Sequence, residues 1–184
     1  MTDEAGTEQT PTGRQATDRG WFLMNLSEMT WATCEETGIW AAPESAAARS
    51  RKLGFGVHIL YPGDRPGFYH AEDEQEDFVV LSGECLAIVE GAERRMGPWD
   101  HLHCPPGTAH ILIGAGDGPC AILMAGTRSG GQITYLPDPV AARHGAAVER
   151  ESTSPREVYA DRPPIVPARS PWPLGSGHSE ASNA

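Results

Sequence analysis

The sequence predicts an all-β protein, folded as one small antiparallel barrel, and three observations support this fold class. The chain has 184 residues, a length typical of a single domain. Between residues 54 and 127, short apolar segments of strand length alternate with turn signals made of glycine, proline or serine. The same region holds no long segment with helical periodicity, which leaves a compact β-barrel as the expected fold.

Seven strands are predicted in this region, and each ends at residues that favour a turn. They are GFGVHILY (54–61), DFVVL (77–81), CLAIVE (85–90), ERRM (93–96), DHLHC (100–104), AHILIG (109–114) and CAILMAGT (120–127). Gly91 and Ala92 are predicted as a two-residue hairpin turn with glycine first. Pro105 and Pro106 end the fifth strand because proline cannot donate a ladder hydrogen bond.

The segments on either side of the barrel differ from it in composition. Residues 1–19 are polar and lack an apolar period, so we expect a disordered arm there. The barrel domain is assigned to residues 20–136, with a predicted strand at WFLMNL (21–26) and an alanine-rich helical turn around 44–51. Residues 137–184 are a C-terminal extension, expected to contain a short helical segment and then a proline-rich, extended tail.

Two local signals place the helical turns of this extension. Asp138 followed by Pro139 is typical of an N-cap and the first helical position, and Gly145 ends the helix that they begin. The segment SPREVYAD is predicted as another short helical turn.

Charge and cysteine content exclude several classes of partner. The formal balance of 14 − 25 = −11 repels phosphate backbones and anionic lipid, so neither nucleic acid nor a membrane is expected as a partner. No apolar run approaches the roughly 20 residues that a membrane span needs. The four cysteines include no CxxC pair and the first residues have no apolar signal core, which indicates a reduced, cytoplasmic protein.

Four polar residues are spaced as a metal site would require. His70 and Glu72 lie two residues apart, so in a strand they project from the same face. Glu76 begins the next strand after a three-residue bend, and His110 follows the turn sequence PPGT. Two histidines and carboxylates on rigid strands are ligands for a first-row divalent ion, and Fe, Mn, Zn and Ni all remain possible.

These spacings resemble the two motifs of the cupins. The first motif runs His-x-His, three or four residues, Glu, six residues, Gly; residues 63–83 contain His70-x-Glu72, three residues, Glu76, six residues, Gly83. The second motif has Pro-x-Gly, two residues, His, and residues 100–114 contain Pro105-x-Gly107, two residues, His110. This range begins with the expected aspartate, Asp100, but Trp99 stands where a glycine usually precedes that aspartate. The resemblance spans residues 54–127 and implies a single-domain jelly-roll barrel with one metal ion held by His70, Glu72, Glu76 and His110.

The chain departs from the motifs at two positions. Glu72 replaces the second histidine, and Gly114 stands where an asparagine often follows the second motif. Glu72 is either a fourth ligand, which makes the ligand set neutral around a divalent ion, or a catalytic group that moves a proton beside the metal. In the second case His70, Glu76 and His110 form the two-histidine, one-carboxylate face of non-haem iron oxygenases.

That triad is similar to the one in 3-hydroxyanthranilate dioxygenases, which belong to the cupins. Those enzymes hold a substrate carboxylate with arginines at positions that correspond here to Pro66 and Gly114. The resemblance therefore extends to the ligands and not to the substrate.

Other polar residues of the barrel are assigned lesser roles. His58, His101 and His103 are expected to line the pocket or to be satisfied core residues. Solvent-facing side chains are expected at Asp73, Glu74 and Asp77.

The sequence leaves three classes of function open. The first is a metal-dependent enzyme acting on a small organic molecule, of dioxygenase or isomerase/lyase type, and the second is a non-catalytic module that binds a small molecule or metal. The third is a barrel that serves oligomerisation alone. A homodimer is expected because the strand DFVVL has apolar side chains on both faces and needs an outer cover.

Overall fold

The computed structural model of the protein describes residues 3–41 and 49–171. Within these ranges the chain is almost entirely β-structure, with two four-residue α-helices and a 3₁₀ turn at Leu26–Glu28. The strands are β1 (Thr7–Thr10), β2 (Gly13–Ala16), β3 (Trp31–Thr33), β4 (Ile39–Ala41), β5 (Leu53–Leu60), β6 (His70–Glu72), β7 (Glu76–Ser82), β8 (Glu84–Val89), β9 (Ala92–Met96), β10 (His101–Cys104), β11 (His110–Ala115), β12 (Cys120–Thr127), β13 (Ile133–Tyr135) and β14 (Val166–Ala168). The helices are α1 (Pro139–Ala142) and α2 (Pro155–Val158).

Two antiparallel sheets carry the candidate site. The larger has the order β10-β7-β12-β5-β4-β3-β14, and the smaller has the order β13-β6-β11-β8-β9. The apolar core between them includes Phe78 and Val80 of β7, Ile122 of β12, and Leu112 of β11, all of them buried. The all-β prediction is confirmed, because the alternating apolar residues of each strand pack into this core.

All seven predicted strands between residues 54 and 127 are present, but one turn is shifted by a residue. Val89 pairs with Ala92, so the hairpin turn between β8 and β9 is Glu90 and Gly91, not Gly91 and Ala92. Glu90 and Gly91 have φ angles of 49° and 71°, as a type I′ turn requires. Glu90 tolerates this conformation because its backbone N–H donates to the carbonyl of Ala109 (2.9 Å) and its carboxylate accepts from the Ala109 N–H (2.7 Å).

Residues 3–19 of the N-terminal arm are folded, contrary to the disorder predicted for residues 1–19. β1 and β2 form a hairpin, and the Thr10 hydroxyl donates to the Gly13 carbonyl (2.7 Å) and accepts from the Gly13 N–H (3.1 Å). The same hydroxyl lies 3.1 Å from the Thr30 hydroxyl, which ties the turn to the main body of the protein. The hairpin is held by polar contacts. Such contacts give no apolar periodicity in the sequence, so the pattern did not predict the two strands.

The predicted strand at residues 21–26 is also wrong. The segment runs without ladder pairing from an isolated bridge at Trp21 to the 3₁₀ turn. From this segment, Leu26 packs with the buried Trp31 on the outer face of the larger sheet. The helical turn expected around residues 44–51 lies largely outside the described residues.

The C-terminal extension begins as predicted and covers the smaller sheet. Asp138 Oδ1 accepts from the N–H groups of Val140 (2.9 Å) and Ala141 (2.7 Å), which caps α1. Ala141 then packs with Ile88 and Ile111 on the face that points away from the barrel interior. Both helical turns of the extension are confirmed, although α1 ends at Ala142 and not at the predicted Gly145.

The outer faces of both sheets are thus covered within one chain. Trp31 and Leu26 cover the larger sheet, and α1 with the following turn covers the smaller one. The apolar outer face on which the expected homodimer rests is therefore already partly buried, and the homodimer stays a prediction. Among the described residues, no helix is long and apolar enough to cross a membrane.

Candidate metal centre

Two neighbouring strands place the two histidines of the site side by side. His70 opens β6 and His110 opens β11, and the two residues are direct partners in the antiparallel ladder. Their ring centroids lie 4.8 Å apart. Glu76 opens β7 in the other sheet, so the group lies between the two sheets at one end of the barrel.

The potential ligand atoms of these three residues converge. Glu76 Oε2 lies 3.1 Å from His110 Nε2 and 3.8 Å from His70 Nε2. One ligand atom from each of the three residues lies within 4.8 Å of both others. Such spacing allows a single ion to contact all three after small side-chain movements.

The opposite ring nitrogens fix the tautomers of both histidines. Nδ1 of His70 lies 2.7 Å from the Phe68 carbonyl, and Nδ1 of His110 lies 3.0 Å from the Thr108 carbonyl. A carbonyl only accepts, so each Nδ1 carries the proton and donates. When such a ring is neutral, it presents the lone pair of Nε2 to the site, which is how histidine binds a metal.

The donor set fits a divalent metal ion. Glu76 Oε2 is buried and has no hydrogen-bond partner, although His110 Nε2 is only 3.1 Å away. Two lone pairs that face each other at this distance need a cation between them, either a proton or a metal ion. Two imidazole nitrogens and one carboxylate oxygen are ligands for Fe, Mn, Zn or Ni.

The pKa values of the pair show how strongly the site attracts positive charge. Burial alone would raise the pKa of Glu76, but the approach of His110 and His70 outweighs burial and lowers the pKa to about 2. Burial alone would lower the pKa of His110, but contacts with the Cys104 thiol, the Glu76 carboxylate and the Thr108 carbonyl raise the pKa to about 10. In the metal-free protein, His110 is therefore a protonated partner for an ionised Glu76.

Glu72 lies beside this group but outside the set of converging ligand atoms. Its Oε1 is 3.7 Å from His70 Nε2. Burial, and next the negative charge of Glu76, raise the pKa of Glu72. The two neighbouring glutamates thus have opposite pKa shifts. Glu76 is held in its ionised form, whereas Glu72 is more easily protonated than a free glutamate.

A cavity of about 200 Å³ opens onto the group. Polar side chains form one end of it and apolar side chains form its walls, as in small-molecule sites. It is lined by Pro66, Gly67, His70, Glu72, Glu76, Phe78, His110, Ile111, Leu112, Met124, Ile133 and Tyr159. Ile133 and Tyr159 were missed at the sequence level because they follow the predicted barrel strands and carry no motif.

Among the residues that the structure describes, the histidines outside this group do not join the site. His101 and His103 are exposed on β10, and each has a ring nitrogen 2.8 Å from Asp77 Oδ1, so the expected pocket or core location is wrong for both. His58 is stacked on Trp40 with ring centroids 5.9 Å apart, and its buried Nδ1 has no partner. Burial lowers the pKa of His58 to about 4, and His58 does not line the cavity described above.

The bend between His70 and Glu76 is less solvated than predicted. Glu74 is only 9% exposed and accepts hydrogen bonds from the Thr127 hydroxyl (2.6 Å), the N–H and hydroxyl of Ser129 (2.5 and 2.8 Å) and the Gly131 N–H (3.0 Å). These bonds lower the pKa of Glu74 to about 2. The prediction of a solvent-facing Glu74 is wrong, because the donors come from a loop more than fifty residues away.

Gly114 has a packing reason for its departure from the motif. A Cβ atom at this position would overlap the carbonyl oxygen of Tyr61. The crossing backbone is fixed by two hydrogen bonds, from Gly63 N–H to the Gly114 carbonyl (2.9 Å) and from Gly114 N–H to the Asp64 carbonyl (2.8 Å). No asparagine side chain fits here without moving that backbone.

Comparison with known families agrees with this geometry. The family model for the cupin domain matches residues 56–126, a segment that contains His70, Glu76 and His110. Residues 56–126 form a cupin domain. Tyr159 and the rest of the C-terminal extension lie outside the cupin domain.

Solved structures give weaker likenesses. A protein provisionally named a sugar phosphate isomerase, from Acidithiobacillus ferrooxidans, is 27% identical over 46% of this chain and 55% of its own, with a TM-score of 0.43. A sugar phosphate isomerase of the cupin superfamily from Silicibacter pomeroyi is 23% identical over 49% of this chain and 64% of its own, with a TM-score of 0.44.

A cupin 2 domain-containing protein from Halorhodospira halophila is 17% identical over 59% of this chain and 75% of its own, with a TM-score of 0.46. The chain thus spans between half and two thirds of the first two structures. A comparison with curated protein sequences gives no match.

Proposed function

We propose that the protein is a metal-dependent enzyme of the isomerase or lyase type, in which Glu72 moves a proton on a small organic substrate. One observation supports this reaction type above the others. Glu72 lines the cavity 3.7 Å from a candidate metal ligand but lies outside the set of converging ligand atoms, which leaves its carboxyl group free to contact a substrate. Burial raises the pKa of this carboxyl group. A carboxyl group with a raised pKa is suited to general acid and base catalysis near neutral pH.

The roles of the other residues follow from their positions. A divalent ion held by Nε2 of His70, Nε2 of His110 and the Glu76 carboxylate supplies Lewis-acid stabilisation of negative charge on a substrate oxygen. Glu72 takes a proton from the substrate in its ionised form and returns it in its neutral form. The hydrogen bonds from Nδ1 of both histidines to backbone carbonyls keep their rings oriented towards the site.

The apolar wall of the cavity supports proton transfer. Phe78, Leu112 and Met124 line the cavity beside the polar group. They limit the water around Glu72, which sustains its raised pKa and reduces loss of the proton to solvent.

An oxygenase is the second candidate, and one observation favours it. Without Glu72, the converging group consists of two histidines and one carboxylate, the facial set used by non-haem iron oxygenases. In that case Glu72 would orient the substrate and the redox chemistry would require iron.

The decisive experiment compares wild type with Glu72→Gln after loading with Mn, Fe, Zn or Ni in turn. Wild type is incubated in D₂O with a panel of hydroxy acids, diketones, catechols, aminophenols and thiols, and deuterium incorporation and product formation are followed by NMR. We expect Glu72→Gln to lose about 10²-fold or more of the activity, the usual contribution of a general acid or base, with unchanged metal content. Asp73→Asn, a change in a neighbouring exposed acid, is the matched control.

Each other outcome assigns a different role. Loss of metal from Glu72→Gln makes Glu72 a ligand, and oxygen uptake only with iron identifies an oxygenase. A metal-loaded protein that returns every compound unchanged and undeuterated contradicts the enzyme and favours a non-catalytic binding module.

A further inference from the structure

A second cavity adjoins the metal cavity and carries two arginines in its wall. It has a volume of about 310 Å³ and is lined in part by Arg65 and Arg162. Gly67 and Tyr159 line both cavities, so the two spaces meet at these residues. Arg65 lies in the first motif region but is not one of the motif's ligand or glycine positions, and Arg162 lies outside the cupin domain.

Gly67 and Tyr159 form the junction between the two cavities. A Cβ atom on Gly67 would lie 2.8 Å from the Tyr159 hydroxyl, so the absence of a side chain at residue 67 allows the tyrosine to approach the backbone. The Tyr159 ring is held edge-on to Tyr135, with centroids 5.5 Å apart, and tilted against Phe68 at 5.6 Å. These contacts fix Tyr159 between the two spaces.

Arg162 has unused capacity to bind an anion. It is half-buried, its guanidinium carbon lies 4.6 Å from the centroid of the Tyr159 ring, and its Nη2 donates to the Pro66 carbonyl at 3.2 Å. A guanidinium has five N–H donors, and this bond uses one of them. In residues 3–41 and 49–171, no carboxylate lies within the 4.0 Å salt-bridge distance of Arg162.

Arg65 is paired, but weakly. Its Nη2 lies 2.9 Å from Glu36 Oε2, and the Glu36 side chain is 67% exposed. Exposed ion pairs are weak because water competes for both charges, so a ligand anion can replace Glu36 at small cost. Glu35 and Asp161, like Glu36, are exposed acids in the wall, and solvent screens their charges more than those of the half-buried arginines.

We propose that this second cavity binds the anionic group of the substrate, a carboxylate or a phosphate, through Arg162 and Arg65. The inference rests on the proposed function, because the reacting end of the same molecule would pass Gly67 and Tyr159 and reach the metal group. A bidentate guanidinium contact suits both kinds of oxyanion. The wall holds three exposed acids beside the two arginines, so direct guanidinium contacts, and not a positive surface potential, would hold the anion.

The test measures binding of inorganic phosphate and of succinate to the metal-loaded full chain by titration calorimetry. We expect at least one of the two anions to bind to wild type, with affinity reduced tenfold or more in Arg162→Gln and to a smaller extent in Arg65→Gln. Arg156→Gln is the matched control, since Arg156 lies exposed on α2 and does not line the cavity. Thermal melting verifies that each variant is folded, and Arg65→Gln keeps the test informative if Arg162→Gln does not fold.

The two anions distinguish a phosphate ligand from a carboxylate ligand, and binding of either supports the proposal. No binding of either anion, or equal affinity in wild type and both cavity variants, overturns it. Metal content separates this failure from that of the proposed function. If the protein binds metal and turns over an uncharged substrate but binds neither anion, only the anion site is contradicted. If it binds no metal, the proposed function itself is contradicted.

Discussion

His110 Nε2 lies 3.1 Å from Glu76 Oε2, and the two residues belong to different sheets. An ion bound between them would link β11 of the smaller sheet to β7 of the larger sheet at one end of the barrel. Metal binding and folding stability are therefore coupled in this protein, and the coupling passes through Glu76.

The first prediction concerns this coupling. Metal at a concentration of 100 times its dissociation constant stabilises the fold by about 2.7 kcal/mol. For a chain of this size that corresponds to a rise in melting temperature of roughly 5–10 °C. Calorimetric melting should show the rise in wild type and not in Glu76→Ala.

The control for this prediction is a histidine outside the group. His103→Ala removes an exposed imidazole on β10 and should keep the full metal-dependent rise. An equal rise in Glu76→Ala and wild type would place the stabilising metal elsewhere.

The second prediction is that metal binding releases a proton. The pKa of His110 is about 10 in the metal-free protein, and a metal requires the neutral ring. Between pH 7 and 9 we expect close to one proton released for each ion, and an apparent affinity that rises about tenfold with each pH unit. Titration calorimetry in two buffers of different ionisation enthalpy measures the number of protons, and a value near zero contradicts the prediction.

The same pKa shifts make the stability of the metal-free protein depend on pH. The pKa of His110 is raised from 6.5 to about 10. Its contribution to the free energy of unfolding is therefore fully present below pH 6.5 and is lost as the pH rises through 10. The pKa of Glu76 is lowered from 4.5 to about 2, so its contribution is present above pH 4.5 and is lost as the pH falls through 2. Both contributions are therefore fully present between pH 4.5 and pH 6.5.

Much of this architecture can be predicted from the sequence because its signals are local. The strands follow from a period of two and from turn residues at their ends, and the spacing of His70, Glu76 and His110 identifies the three converging residues. The shifted hairpin is an error of one residue, because a type I′ turn accepts glycine at its second position as well as its first.

The remainder depends on long-range contacts that no local pattern reports. Tyr159 reaches the cavity only because the C-terminal extension folds back over the smaller sheet. Glu74 is buried only because the loop of residues 127–131 crosses the bend between β6 and β7. In each case the sequence shows a polar segment, and the partner that changes its environment lies far along the chain.

The third prediction tests the role of Glu74 in holding that loop. Glu74→Ala removes the acceptors of the Ser129 and Gly131 N–H groups, so their amide hydrogen exchange should accelerate at least tenfold. Asp73→Ala is the control, since Asp73 accepts from the loop only through the Gln132 N–H, at 3.2 Å. Unchanged protection of Ser129 in Glu74→Ala would mean that the loop is held by other contacts.

The pH dependence of the loop follows from the same carboxylate. The pKa of Glu74 is lowered from 4.5 to about 2 by its hydrogen bonds, so its contribution is present above pH 4.5 and is lost as the pH falls through 2. The protection factors of Ser129 and Gly131, which correct for the intrinsic pH dependence of amide exchange, should fall over that acidic range in wild type and should be less dependent on pH in Glu74→Ala.

The fourth prediction concerns Trp99, which occupies the motif position where glycine is usual. Its φ angle is 71° and its side chain is exposed, so the residue has an unfavourable backbone conformation without burial to compensate. The turn is retained because Trp99 N–H donates to the Val80 carbonyl (2.8 Å) and Asp100 Oδ2 accepts from the Gly97 N–H (2.8 Å). The left-handed conformation costs a residue with a Cβ atom about 1–2 kcal/mol, and glycine loses about 0.5–1 kcal/mol in chain entropy.

Trp99→Gly should therefore stabilise the protein by about 0.5–1 kcal/mol, which raises the melting temperature by roughly 1–4 °C. Trp99→Ala keeps the Cβ atom and removes the same exposed ring, so it should leave the melting temperature within about 1 °C of wild type. Equal stabilisation by both variants would assign the effect to the exposed indole ring and not to the backbone conformation. A lower melting temperature in both would show that the indole makes a stabilising contact in solution.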